Sequence, residues 1–197
     1  MEAAKNALER PNYRDGNHGA GCGATVGKIA GAETAMKTGI GSFAVELDGL
    51  KVGAVVALNA LGDIFDWKTG EKIAGLLTED RKSFRSTGEF MARSIKKIEN
   101  RFVENTTIGI VITNAYLDKA QLTKIAAMAH NGFARAIDPV HTLADGDSIY
   151  AVSVGEVSAD QDLIGTIAAE VMSEAIIRAV TSAESAYGFT AARDLTF

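Results

Sequence analysis

A single cysteine, Cys22, stands in 197 residues. That excludes an internal disulfide framework and a cysteine-rich zinc site, and it points to a reducing compartment. Excess positive charge is missing too: 20 Lys and Arg face 25 Asp and Glu, for a formal net charge of -5 and a pI near 5.3. Nucleic acid and anionic membranes attract net positive surfaces, so neither is the expected partner. No apolar run approaches the length of a membrane span. The opening "MEAAKNALERPNYRDGNHG" lacks the apolar centre of a signal peptide, which makes the cytoplasm the expected location. Asn105-Thr106-Thr107 matches a glycosylation sequon, but without a secretory route the match has no mechanism behind it. Internal repeats and low-complexity tracts are also absent. What remains, 47% hydrophobic and 23% charged residues, describes one globular domain with enough chain to bury a core.

The order of elements reads as a first half rich in glycine and strands, a charged middle, and a second half of strand, helix, strand, helix. "AAKNAL" opens with helix formers and stops at Pro11, while "GAGCGATVGKIAG" carries too much glycine for a helix and reads as a loop feeding a strand. "SFAVEL" and "LKVGAVVALNALGD" flank Asp48-Gly49, the dipeptide that two-residue hairpin turns favour because both central positions need positive φ. Residues 78–104 are mixed in charge and weakly helical, and are expected to form an exposed, mobile connector with room for one short helix. "TTIGIVIT" is a strand by β-branching and length. Asp118 then caps "KAQLTKIAAMAHNGFARAI", where Leu122, Ile125, Ala126, Ala129, Phe133 and Ile137 recur at helical spacing. "SIYAVSVG" is a further strand and "DLIGTIAAEVMSEAIIRAVTSAESA" a long helix.

Two candidate chemistries fail on their residues. The glycines before Lys28 suggest a phosphate loop, yet Cys22 occupies the position of its first glycine, Ile29 that of its magnesium-binding hydroxyl, and no strand precedes it. Glycines that allow close backbone packing are the stronger reading. His18, His130 and His141, with Asp138 and Asp145, match no ligand spacing and read as hydrogen-bonded structural residues, so no metal and no other cofactor is expected. Asp145 and Asp147 straddle Gly146 just before a strand. An extended backbone there would project both carboxylates to one side, where they could share a proton or orient a base. A plain acidic turn is the alternative.

The strand entry "ENTTIGIVIT" carries more. If the bond between Asn105 and Thr106 were cut, Thr106 would present a free α-amine, with a pKa of about 7.7–8.0, able to act as general base for its own hydroxyl. The β-branch restricts χ1 and helps aim that hydroxyl. The charged connector upstream would suit a segment that moves away after cleavage. Asn59, in "ALNALGD", offers an amide of the kind that stabilises an oxyanion.

The blocks "GNHGAGCGATVGK", "VGAVVALNALGD", "NTTIGIVITNA", "AHNGFARAIDPVHT" and "DGDSIYAVSVG" resemble, in order and spacing, the DmpA-like aminopeptidases (L-aminopeptidase D-esterase), which include the nylon-oligomer (6-aminohexanoate-oligomer) hydrolases. The resemblance spans nearly the whole chain, and the Asn-Thr-Thr and Asp-Gly-Asp blocks are its most specific parts. It implies an αββα four-layer sandwich and a self-cleaving N-terminal-nucleophile hydrolase, acting on amide bonds of small peptides or oligoamides as a homo-oligomer. By position, Thr106 is similar to the nucleophile exposed by cleavage after Asn105, Lys28 to the site lysine, Asn59 to the oxyanion-hole amide, and Asp145 with Asp147 to the acidic pair. The aspartate pair resembles the nylon-hydrolase branch. Cys22 departs from the small hydroxyl residue usual there, and the family's N-terminal portion, with a site tyrosine, has no counterpart ahead of Met1. A catalytically silent scaffold that keeps the fold is therefore the competing expectation.

Overall fold

The computed structural model describes residues 2–9, 12–93 and 105–195. Its elements run α1 (Glu2–Glu9), β1 (Thr25–Val26), β2 (Met36–Lys37), β3 (Ile40–Leu47), β4 (Leu50–Ala57), β5 (Asp63–Phe65), β6 (Lys72–Ala74) and α2 (Thr87–Arg93). They continue through β7 (Ile108–Ala115), α3 (Lys119–Ala136), β8 (Ile137–Asp138), β9 (Ser148–Val157), α4 (Gln161–Thr181) and β10 (Thr190–Ala191).

The centre is a four-stranded sheet in the order β3-β4-β7-β9. β3 and β4 form the expected hairpin, with Leu47 opposite Leu50. Asp48 at φ 47° and Gly49 at φ 83° supply the two positive angles the turn requires. β4 pairs antiparallel with β7, and β7 runs parallel to β9, with α3 as the crossover between them. Asp118 closes the N-terminus of α3 with a capping box: its carboxylate accepts the Gln121 N–H while the Gln121 side chain accepts the Asp118 N–H. Asp160 caps α4 by accepting the Leu163 N–H.

α3 and α4 pack on each other and on one face of the sheet. Val52, Ala54, Val56 and Val111 from the strands meet Ile125, Phe133, Ile164, Met172 and Ile176 from the helices, all fully or nearly fully buried. α4 ends at Thr181, short of the expected helix end at residue 186. The opposite face of the sheet stays open, with Ile108 49%, Tyr150 62% and Val154 66% exposed. Within the αββα scheme, this sheet and its helix pair make one β layer and one α layer. Among the described residues no helix is long and apolar enough to cross a membrane.

Two small sheets, β1-β2-β10 and β6-β5-β8, frame one end of the main sheet. The glycine-rich loop before β1 is ordered by a cation. Lys37, with no exposed surface, points its ammonium at the carbonyl oxygens of Gly21, Ala24 and Thr38. That clamp leads the chain into Lys28.

The described part of the connector is exposed or half-buried except at Thr87 and carries the one short helix expected, α2, yet it is anchored. Leu77 and Phe84 form a β-bridge, and Thr87, fully buried at the start of α2, donates both its N–H and its hydroxyl to Asp63. Asp63 also accepts the Leu76 N–H and pairs with Lys72 at 2.8 Å. The segment up to Arg93 is thus docked rather than loose, because a buried carboxylate two dozen residues upstream supplies the partners that its weak apolar pattern does not. The rest of the connector, 94–104, lies outside the described residues.

Candidate active site

The Asn105–Thr106 bond sits where the entry to β7 crosses the end of the β4 segment and the loop before β9. Asn105 is 2% exposed and bridges Asp145 in parallel fashion. Its carbonyl oxygen accepts the Gly146 N–H at 2.8 Å and the Thr106 hydroxyl at 2.6 Å. The Thr106 N–H donates to the Asn59 carbonyl at 2.9 Å. Both atoms of the peptide group between Asn105 and Thr106 are therefore held, and the hydroxyl rests on the carbonyl it would attack.

Gly146 makes this approach possible. A Cβ there would stand 2.8 Å from Thr106 Oγ1, closer than real Cβ contacts come. Thr107 is different: it has no exposed surface, and its hydroxyl has no hydrogen-bond partner among the described residues.

Lys28 lies 5% exposed behind Asn59, donating to Asn59 Oδ1 at 2.7 Å and to its carbonyl oxygen at 3.4 Å. Burial pushes the Lys28 ammonium down to about 8, and the negative charge of Asp145 opposes that shift. Asn59 Oδ1 also accepts the Thr25 N–H at 3.2 Å. Two donors on Oδ1 fix the amide's orientation.

The two aspartates are brought to the same site but not to each other. Asp145 is held in a turn, accepting the Thr142 N–H and hydroxyl with one oxygen and the Leu61 N–H with the other. Asp147 accepts the Thr107 N–H at 2.9 Å and faces His141 Nδ1 at 2.9 Å. The Asp145 N–H closes a turn onto the Thr142 carbonyl, the backbone then runs on in parallel pairing with residues 105–107, and each carboxylate collects its own donors.

The sequence points to no role for Thr142 and marks Gly146 only as the residue between the aspartates, while His130 and His141 are hydrogen-bonded as expected. Thr142 and Gly146 belong to the "HTLADGD" block, whose turn chemistry was the available signal. His130 and His141 lie eleven residues apart, on α3 and in a loop, and only the fold brings their ring nitrogens within 3.2 Å. Among the described residues no cluster of three His, Cys, Asp or Glu side chains is arranged to hold a metal.

The fold is that of the N-terminal-nucleophile hydrolases. The L-aminopeptidase D-Ala-esterase/amidase from Ochrobactrum anthropi, described as a variant of that fold, superposes with a TM-score of 0.62 at 20% identity, covering 98% of this chain and 54% of its own. A β-aminopeptidase from Burkholderia sp. superposes at 0.53 with 22% identity, covering 87% of this chain and 47% of its own. Residues 1–193 match peptidase family S58, and the chain belongs to that family. An uncharacterized aminopeptidase of Mycobacterium leprae (strain TN) is 33% identical over 189 residues, 88% of this chain and 50% of that protein. A 6-aminohexanoate-oligomer endohydrolase of Agromyces sp. (strain KY5R) is 29% identical over 184 residues, 85% of this chain and 51% of that protein. The chain spans about half the length of the relatives it matches.

Proposed function

We propose that the chain forms the core of a self-cleaving N-terminal-nucleophile hydrolase that cuts amide bonds of small peptides or 6-aminohexanoate-type oligomers. The carrying observation is the Thr106 hydroxyl 2.6 Å from the Asn105 carbonyl oxygen, with Gly146 N–H on the same oxygen and Asn59 holding the Thr106 N–H.

In the first stage Thr106 Oγ attacks the Asn105 carbonyl carbon. Charge develops on the oxygen already facing Gly146 N–H, and the Thr106 nitrogen leaves with the hydroxyl's proton. The resulting Asn105 ester is hydrolysed by water, which frees an Asn105 carboxylate and a Thr106 α-amine. In turnover that amine takes the Thr106 hydroxyl proton as Oγ attacks the substrate carbonyl, then passes it to the departing amine. Water hydrolyses the acyl-threonine ester. The Asn59 amide and the Lys28 ammonium stabilise the developing oxyanion. Asp147 holds the Thr107 N–H, and Asp145 braces the loop that carries Gly146.

A second reading, a catalytically silent subunit that keeps the fold, draws on the open apolar face of the sheet. It shares with the first the expectation of a homo-oligomer in the cytoplasm. Release of primary amine from a panel of small amides and 6-aminohexanoate oligomers separates the two. The hydrolase reading expects release that disappears with Thr106→Ala, and no release above that variant supports the scaffold.

A further inference from the structure

A hydrogen-bonded chain leaves the site from the far side of Asp147. Asp147 is 4% exposed in its side chain, with one oxygen on the Thr107 N–H and the other on His141 Nδ1. His141 Nε2 in turn lies 3.2 Å from His130 Nδ1. Phe133 holds the two imidazoles in place: His130 meets its ring edge-on at 5.5 Å, and His141 stacks on it at 5.9 Å with an interplanar angle of 26°. His141 adopts φ 55°, uncommon for a residue with a side chain, at the point where the loop folds its ring back onto Asp147.

We propose that His141, backed by His130, is a positioning residue for the Thr106 nucleophile and acts through Asp147. The inference rests on the reading of Thr106 as nucleophile given above. The Thr107 N–H belongs to the peptide plane that joins the two threonines. With the Thr106 nitrogen held by the Asn59 carbonyl, fixing that plane sets the rotation about the Thr106 Cα–C bond and so the direction of its Cα–Cβ bond. Asp147 grips the plane with one oxygen, and His141 anchors the other.

In the neutral pair, His141 carries its proton on Nδ1 toward Asp147, and its Nε2 accepts the His130 Nδ1 proton. Burial first, and then the neighbouring charge of His141, hold His130 below the usual histidine range, against the pull of Asp147. Facing this pair are Asp147, and in the same loop Asp145 on Thr142, with Lys28 behind Asp145. Held neutral, His130 braces the His141 ring against Asp147.

Two measurements test this. In the full chain carrying Thr106→Ala, which keeps the bond whole, the Thr107 amide NMR resonance should shift with His141→Ala. With His141→Asn, whose amide N–H takes the place of Nδ1–H, the resonance should stay near its wild-type position. In the chain with Thr106 intact, His141→Ala should slow self-processing about tenfold, the loss of one hydrogen bond to a charged group, while His141→Asn recovers most of that rate. A Thr107 amide indifferent to His141→Ala, or an Asn variant as slow as the Ala variant, overturns the proposal. If the intact chain processes nowhere, the hydrolase reading fails, and the Thr107 amide resonance of the His141 variants still decides this one.

Discussion

Lys28→Met should make the protein more stable and less active. Lowering a lysine from 10.5 to about 8 means that the folded site disfavours the charged ammonium by roughly 2.5 pH units, or about 3 kcal/mol at neutral pH. Methionine keeps most of the buried stem and removes the charge. It also removes the two contacts to Asn59, of which the one at 2.7 Å is well formed and worth about 1–2 kcal/mol. The net expectation at pH 7 is a gain of about 1–2 kcal/mol, measured by urea unfolding followed by circular dichroism. The sign in pH follows from proton counting. Between about 8 and 10.5 the unfolded chain binds the Lys28 proton and the folded chain does not, so native stability rises with pH through that window. The advantage of the variant should therefore shrink as pH goes from 7 to 10. In parallel, self-processing and amide hydrolysis should fall steeply in the variant, and wild-type rates should decline above pH 8 as the ammonium is lost. A variant less stable than wild type at pH 7, or a gap that stays constant to pH 10, would refute the reasoning.

Three further outcomes are expected. Gly146→Ala should slow self-processing at least tenfold with little change in melting temperature, because its Cβ would stand 2.8 Å from Thr106 Oγ1; mass spectrometry over time measures it. Thr107→Val should keep processing and raise stability by about 1 kcal/mol, since it removes a buried hydroxyl without a partner; denaturant melts check it. Asp63→Ala should cost about 3 kcal/mol or more, as it strands Lys72 and the donors of Leu76 and Thr87, and should expose the segment 84–93 to limited proteolysis.

Elements with a strong local code were legible in advance. Asp48-Gly49 announces its hairpin because the turn angles are a property of two adjacent residues, and Asp118 announces α3 because capping and apolar spacing act within a few turns. Thr106, Asn59 and Lys28 were found together because each stands in a recognisable block. What escaped depends on partners distant in sequence. The segment up to Arg93 looked mobile because its anchor, Asp63, lies in another strand. That Asp145 and Asp147 each collect their own donors was not legible, because Leu61 and Thr107 come from other elements. His130 and His141 looked structural because nothing in an eleven-residue spacing says that a helix and a loop will bring them together.

The central claim is tested most directly by an intact-mass spectrum of the purified chain, paired with N-terminal sequencing. The account predicts two fragments in place of the 20.7 kDa chain, one ending at Asn105 and one starting at Thr106, and a single uncut species for Thr106→Ala. An uncut wild-type chain, or a cut at any other bond, would contradict it.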